Sequence, residues 1–266
     1  MSGNFSIDET SGIEWQERGK FTAFTRTGTK YKEASTCLDH LKELGITHVQ
    51  LLPVFDYATV DESKPYKAQY NWGYDPLNYN CLEGSYSSDP ENPAKRISEF
   101  KQLVMALHKN GIGVIMDVVY NHTYFTEKSS FHKSFPYYYH RLNNKGGFSN
   151  GSGCGNETAS DHIMYRKFMI NSLKFLASEY KLDGFRFDLM GLHDIETVNM
   201  IREELNKFDP ALLMYGEGWT GGNLPFRQIS SLTNGIPINS EASDFSMTIY
   251  GTQLREEHLI LMTRAL

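Results

Sequence analysis

Charged and polar side chains occur within or directly after three short apolar segments of this sequence, at 117–122, 184–190 and 215–219. In the second segment, Arg186 and Asp188 are alternate residues and therefore face the same side of a strand. A charge in a buried strand is costly unless it is paired, so each cluster alone fits a structural ion pair. Three clusters at the ends of successive strands favour a catalytic site, because barrel enzymes collect catalytic side chains at that face.

The residue types suit cleavage of a glycosidic bond with retention, which needs an ionised carboxylate and a protonated carboxylic acid about 5–5.5 Å apart. Asp188 and Glu217 are the candidates. Arg186 can orient the Asp188 carboxylate and keep it ionised, since a nearby cation lowers a carboxyl pKa. Glu217 lies between glycines and beside Trp219, where apolar surroundings are expected to raise its pKa and keep it protonated.

Two further residues offer contacts to a sugar. His122 can donate a hydrogen bond to sugar hydroxyls, and the ring of Tyr74 offers a flat face for a pyranose. A single His or Tyr at a strand end is more often a packing residue. These two are therefore candidates because of the clusters near them.

Alternating helical and strand patterns must position these residues. Helical periodicity appears at 34–44, 97–107, 165–180 and 198–205, and apolar strands are predicted at 47–54, 114–119, 184–189 and 211–215. This alternation predicts an α/β fold of the (β/α)8 TIM-barrel type. Only four clear strands are present, so we expect about the first half of the barrel, with two open parallel edges that favour aggregation.

Composition narrows the class of partner. The formal net charge is −6 without a basic block, which disfavours nucleic acid and anionic membranes as partners. No apolar run is long enough to span a membrane and no export signal is visible, which predicts a cytoplasmic protein as written, or an extracellular or cell-surface one if the true N-terminus is missing. Cys37, Cys81 and Cys154 lack the spacing of a zinc site or a disulfide framework.

The clusters make the sequence similar to the α-amylase superfamily of retaining glycoside hydrolases, and within it to type I pullulanases. Segments 117–122 and 184–190 resemble the first two signature regions, and Glu217 in Tyr-Gly-Glu-Gly-Trp resembles the third. The segment 70–76, Tyr-Asn-Trp-Gly-Tyr-Asp-Pro, is similar to the motif that separates pullulanases from amylases. The resemblance runs from about residue 5 to about residue 222.

The resemblance implies a role for each matching position. Asp188 is expected to be the nucleophile and Glu217 the general acid/base. The other implied roles are orientation of Asp188 by Arg186, sugar contact in the cleavage subsite by His122, stacking by Tyr74, and support of the arginine by Asp117. No cofactor is required. Asn121 matches a calcium-ligating position of some amylases, so calcium is possible but unsupported, and the metal stays unknown.

Residues 1–222 thus resemble part of a pullulanase catalytic barrel, with inserted loops at 55–92 and 123–160, whereas 223–266 form an atypical tail. No His-Asp pair of the superfamily's fourth region follows Glu217, and the pair at His193 is expected to be a loop and helix cap. We therefore expect an α-1,6-hydrolase of pullulan and branched α-glucans, weak or inactive as this chain. The alternatives are an α-glucan-binding fragment without activity, an α-1,4-hydrolase, a branching enzyme, or an unstable fragment.

Overall fold

The computed structural model describes residues 8–64 and 69–222, together with the backbone of two strands at 247–250 and 259–261. The described strands are, in chain order, β1 (Lys30–Tyr31), β2 (Ala34–Ser35), β3 (His48–Leu51), β4 (Phe55–Tyr57), β5 (Pro76–Leu82), β6 (Gly113–Val118), β7 (Gly184–Phe187), β8 (Leu213–Glu217), β9 (Met247–Tyr250) and β10 (Leu259–Leu261). The described α-helices are α1 (Cys37–Glu43), α2 (Pro93–Lys109), α3 (Ser130–Ser134), α4 (Ile163–Tyr180) and α5 (Ile195–Phe208).

The central sheet has the strand order β10-β3-β6-β7-β8-β9. Its four inner strands are parallel and joined through helices, which confirms the predicted α/β barrel type with only part of the barrel present. The register places Asp117 opposite Arg186 and Arg186 opposite Tyr215. Three polar residues of three neighbouring strands therefore lie at one level of the sheet.

The sheet keeps two edges, as predicted, but within the described residues they are one strand further out, at β10 and β9. Strand β10 pairs in parallel with β3, and β9 pairs antiparallel with β8, so both outer parallel strands have backbone partners. The antiparallel strand also departs from the all-parallel pattern of a barrel. Apart from these two backbones, the predicted tail at 223–266 lies outside the described residues.

The helices begin and end at residues whose chemistry explains the boundary. Asn92 accepts a hydrogen bond from the Ala94 N–H at 3.2 Å, and Pro93 is the first residue of α2. Asp194 accepts from the Thr197 N–H at 2.8 Å and caps α5, as its position after His193 predicts. The helix predicted from residue 34 starts only at Cys37, because β1 and β2 form a small hairpin first.

The hydrophobic core lies between the sheet and the helices that cover it. Val114 and Met116 of β6 and Phe185 of β7 are fully buried there. They belong to one cluster with the inner faces of the four longer helices. Among the described residues, no helix combines the length and apolar character needed to cross a membrane.

Both predicted loops contain structure of their own. The segment 55–92 includes the antiparallel pair β4 and β5, whose register is irregular. The segment 123–160 includes α3 and two isolated β-bridges, His140 to Thr158 and Leu142 to Phe148. Such internal pairing is expected, because long segments without structure are uncommon in compact domains. The segment 55–92 follows β3, and the segment 123–160 follows β6 and the polar cluster at 117–122.

Candidate active site

The guanidinium of Arg186 is the centre of the site. Its Nη1 donates to both carboxylate oxygens of Asp117 at 2.9 and 2.8 Å, and approaches Asp188 Oδ1 at 3.3 Å. Its Nη2 donates to Glu217 Oε1. The structure thus brings together all three predicted carboxylates, from β6, from the end of β7 and from β8, around one largely buried cation.

Asp188 is held from two directions. Its backbone N–H donates to the Val118 carbonyl at 3.1 Å, and Asn121 Nδ2 donates to its carboxylate Oδ2 at 2.7 Å. Burial raises the pKa of Asp188, while Arg186 and Asn121 oppose that rise. The net direction is therefore opposite to the one expected from the cation alone, because the loss of hydration outweighs the arginine.

Glu217 is the last residue of β8 and is partly exposed. Its Oε2 accepts a hydrogen bond from the Leu189 N–H at 3.1 Å, while its Oε1 contacts Arg186. Burial raises the pKa of Glu217, against the influence of Arg186. This direction is the one that its apolar neighbours predict, and a raised pKa favours the protonated form that a general acid needs.

Asp117 and Tyr74 form the floor of the site. The Tyr74 hydroxyl donates to Asp117 Oδ2 at 2.7 Å. Asp117 is fully buried, and desolvation raises its pKa to about 7, although Arg186 opposes the rise. At the same level of the sheet, the Tyr215 hydroxyl donates to Gln50 Oε1 at 2.6 Å. Sequence reasoning did not single out the Gln50 pair, whose only signal is a polar residue in an apolar strand.

His122 lies beside this centre, and 3% of its surface is exposed. Its Nε2 lies 3.0 Å from the Tyr74 carbonyl oxygen and its Nδ1 lies 2.6 Å from Asn121 Oδ1. Burial lowers the pKa of His122 to about 4, so the ring is neutral at neutral pH. The six residues predicted from the sequence are therefore neighbours in one contact network.

Asn121 is the residue whose part sequence reasoning missed. The resemblance suggests a calcium ligand there, but in the structure the Asn121 amide contacts Asp188 and His122 on its two sides. Both of its polar atoms are engaged by protein groups, so the donor set does not fit a calcium ion. Its position directly before His122 was the available signal.

One cluster of acidic groups lies elsewhere. Side-chain oxygens of Asp56, Glu62 and Glu83 lie within 4.8 Å of one another. Arg96 forms a 2.8 Å ion pair with Glu62 and compensates part of this charge. Burial raises the pKa of Glu83 to about 7, which further reduces the negative charge of the cluster.

A parallel α/β sheet with paired carboxylates at its strand ends is the arrangement of barrel glycosidases. Comparison with known proteins agrees. The profile of the alpha amylase catalytic domain matches residues 31–152. The pullulanase of Bacillus subtilis (strain 168) is 47% identical over 233 residues, which are 87% of this chain and 32% of that protein. Pullulanase 1, chloroplastic, of Arabidopsis thaliana is 35% identical over 280 residues, 90% of this chain and 27% of that protein.

Solved structures give the same result. The pullulanase of Paenibacillus barengoltzii in complex with maltohexaose and alpha-cyclodextrin is 52% identical with a TM-score of 0.79, over 82% of this chain and 34% of that one. The pullulanase of Bacillus acidopullulyticus is 47% identical with a TM-score of 0.82, over 87% of this chain and 28% of that one. Over most of its length the chain is similar to pullulanases of the α-amylase family of glycosidases, and it spans about a third of the length of these relatives.

Proposed function

We propose that this chain carries the cleavage site of an α-1,6-glucosidic hydrolase that acts on pullulan and branched α-glucans with retention. One observation carries the proposal most directly. Asp188 comes directly after β7, and Glu217 is the last residue of the neighbouring strand β8. Both contact the same guanidinium of Arg186. Two carboxyl groups held in this way can divide the roles of nucleophile and proton donor.

The reaction has two displacements. In the first, an oxygen of the Asp188 carboxylate attacks the anomeric carbon, the bond to the glycosidic oxygen breaks, and Glu217 gives its proton to that oxygen. In the second, Glu217 takes a proton from water, whose oxygen attacks the same carbon and releases Asp188. Two inversions give net retention, and both carboxyl groups return to their starting states.

The contacts around the carboxylates support an α-glucan as the substrate. Tyr74 is anchored through its hydroxyl on Asp117, which leaves the ring as a stacking face for a sugar. The ring of His122 lies beside Tyr74 and supplies a polar contact. Arg186 orients Asp188, and Asp117 compensates the charge of that arginine.

The test is hydrolysis of pullulan by the full chain, measured as new reducing ends and released maltotriose. Weak turnover is expected because no His-Asp pair follows Glu217 in the sequence. Glu217→Gln should lower it by about 10²–10⁴-fold, since it removes the general acid, and Asp188→Asn should abolish it. Glu196→Gln, on the exposed face of α5 with its side chain 73% accessible, is the matched control and should leave turnover unchanged.

Turnover that survives Asp188→Asn would contradict the assignment of the nucleophile. Products other than maltotriose would favour an α-1,4-hydrolase or a branching enzyme over a pullulanase. Turnover by the Asp188→Asn variant tests the residue roles, and the identity of the products tests the reaction class. Both are read from the same product chromatogram.

A second candidate is an α-glucan binder without activity. The contact between Arg186 and Glu217 favours it, because the cation opposes the burial that raises the pKa of Glu217 and so works against the protonated form that a general acid needs. Affinity electrophoresis in pullulan or amylopectin gels distinguishes the two functions. Retardation without hydrolysis supports the binder, and the absence of retardation contradicts it.

A further inference from the structure

The ring of His122 has hydrogen-bond acceptors on both of its nitrogen atoms. Asn121 Oδ1 lies 2.6 Å from Nδ1, and the carbonyl oxygen of Tyr74 lies 3.0 Å from Nε2. A neutral imidazole carries only one N–H and presents a lone pair at the other nitrogen. One of these two contacts is therefore a hydrogen bond, and the other places a lone pair against an oxygen.

The orientation of the Asn121 amide follows from its other partner. Its nitrogen Nδ2 donates to the Asp188 carbonyl oxygen at 2.9 Å and to the Asp188 carboxylate Oδ2 at 2.7 Å. Both are acceptors, so the amide nitrogen must lie on this side and the amide oxygen must face His122. Because an amide oxygen only accepts, the shorter of the two ring contacts calls for a proton on Nδ1.

We propose that Asn121 is a positioning residue that holds the His122 ring in its Nδ1–H tautomer and leaves Nε2 to accept a hydrogen bond from a sugar hydroxyl. The sequence suggests the opposite direction, with His122 as the donor. In the sugar-free site the Nε2 lone pair faces the Tyr74 carbonyl, which is unfavourable. Because Nε2 has one lone pair, a sugar hydroxyl can donate to it only when the ring and the Tyr74 carbonyl separate, and that hydrogen bond then replaces the unfavourable contact.

The same asparagine links the ring to the nucleophile. Asn121 is fully buried, and its amide joins the Asp188 carboxylate to the His122 ring without an intervening water. A movement of Asp188 or of His122 therefore displaces the Asn121 amide and disturbs its hydrogen bond to the other residue. The Nδ1–H tautomer of His122 is proposed for the chain without a bound sugar, whereas the contact with a sugar rests on the function proposed above.

The test is long-range 1H–15N correlation NMR of the 15N-labelled full chain at neutral pH. The His122 signals are assigned by their loss in His122→Gln. The expected result is a protonated Nδ1 and an unprotonated Nε2, with the Nδ1–H form in about tenfold excess or more. Asn121→Ala removes the acceptor at Nδ1 and should shift the ratio about tenfold toward the Nε2–H form, which can donate to Tyr74.

Asn156→Ala is the matched control. Asn156 is also buried, and its amide exchanges two hydrogen bonds with the backbone of Thr123, next to His122, without contacting the ring. It should lower stability but leave the His122 tautomer ratio unchanged. A merely structural role of Asn121 predicts that the two variants behave alike in the spectrum, which would overturn the proposal.

Two other results would also overturn it: a wild-type ring that is mainly Nε2–H, or one that is doubly protonated at neutral pH. These come from the wild-type spectrum, so they stand even if Asn121→Ala does not fold. Addition of maltotriose should then shift the Nε2 signal, and a signal that stays in place contradicts the sugar contact. Hydrolysis of pullulan together with an Nε2–H ring would leave the proposed function intact and refute this inference alone.

Discussion

Arg186 illustrates how a buried charge is tolerated in this molecule. Only 12% of its side chain is exposed, and it contacts Asp117, Asp188 and Glu217. Burial alone would lower the pKa of the guanidinium, but Asp117 above all, followed by Tyr74 and Glu217, raises it, so the group stays charged. The cost of dehydrating these groups is offset only while every partner is present.

Arg186→Ala should therefore lower the free energy of unfolding by about 3–5 kcal/mol, because it leaves the Asp117 carboxyl buried and uncompensated. The surface pair between Arg26 and Glu17 is the matched control, since the Arg26 side chain is 53% exposed. Arg26→Ala should cost less than about 1 kcal/mol. Urea denaturation of both variants measures the difference, and equal losses would contradict the central role of Arg186.

His193 shows the consequence of burying a titratable group without partners. It is 1% exposed, and neither ring nitrogen has a hydrogen-bond partner among the described residues. Burial lowers the pKa of His193 to about 3, so the folded chain holds it neutral. In the unfolded chain the residue is protonated below about pH 6.5. The unfolded state thus binds one more proton between these two pH values.

His193→Leu tests this linkage. In the unmodified chain His193 contributes stability that is complete above about pH 6.5 and is lost as the pH falls toward 3. The variant should therefore have a flatter dependence of unfolding free energy on pH, by up to about 1.4 kcal/mol per pH unit between pH 6 and 4. Urea titrations at several pH values measure the slope. Identical slopes in the two proteins would show that His193 does not titrate on unfolding.

At the scale of elements, close backbone approach holds the strand ends in register. A Cβ added at Gly216 would lie 2.7 Å from Met190 Sδ and 2.7 Å from the Phe187 carbonyl oxygen. One added at Gly191 would lie 2.6 Å from the Trp219 carbonyl oxygen. The turn at 190–192 therefore packs directly under the end of β8, and this contact sets the height of Glu217 relative to Asp188.

Gly216→Ala should separate the end of β8 from the Met190 turn and lower the free energy of unfolding by about 1–3 kcal/mol. Gly147→Ala is the matched control, because its nearest contact is the flexible Asn143 side chain at 3.2 Å and its backbone does not require glycine. That variant should be within about 0.5 kcal/mol of the unmodified chain. Thermal and urea unfolding measure both, and a neutral Gly216→Ala would argue against the close approach.

At the scale of the whole molecule, one buried apolar cluster connects the sheet to its helices. It runs from Phe21, near the start of the described residues, to Met214 in β8. The parallel strands β3 and β8 are paired on both sides, because β10 and β9 form the edges of the described sheet. These features favour a folded unit over an unstable fragment.

We therefore expect one cooperative unfolding transition. Far-UV circular dichroism and aromatic fluorescence should give the same midpoint, because helices and buried aromatic residues share the same core. A broad transition, or midpoints that differ between the two probes, would support the fragment hypothesis. The experiment needs no substrate and is independent of the activity assays.

Much of the architecture could be predicted, because it depends on local patterns. The four inner strands follow from apolar runs, and the caps at Asn92 and Asp194 follow from residue type and position. The edge strands could not be predicted, since β9 and β10 depend on pairing with segments far away in the sequence. The pairing of β4 with β5 inside 55–92 was not predicted either, because its register is irregular and leaves no regular alternation in the sequence.

The sequence by itself determined which residues carry the chemistry, since strand ends in a parallel sheet converge on one face and the residue types there are few. The motifs in the sequence also indicated the family that the chain resembles. Only the tertiary structure decided the directions of the pKa shifts and the hydrogen-bond partners of these groups. Burial outweighs Arg186 in raising the pKa of Asp188, and the Asn121 amide serves both Asp188 and His122. Desolvation and hydrogen-bond direction depend on every atom around a group, which residue spacing does not specify.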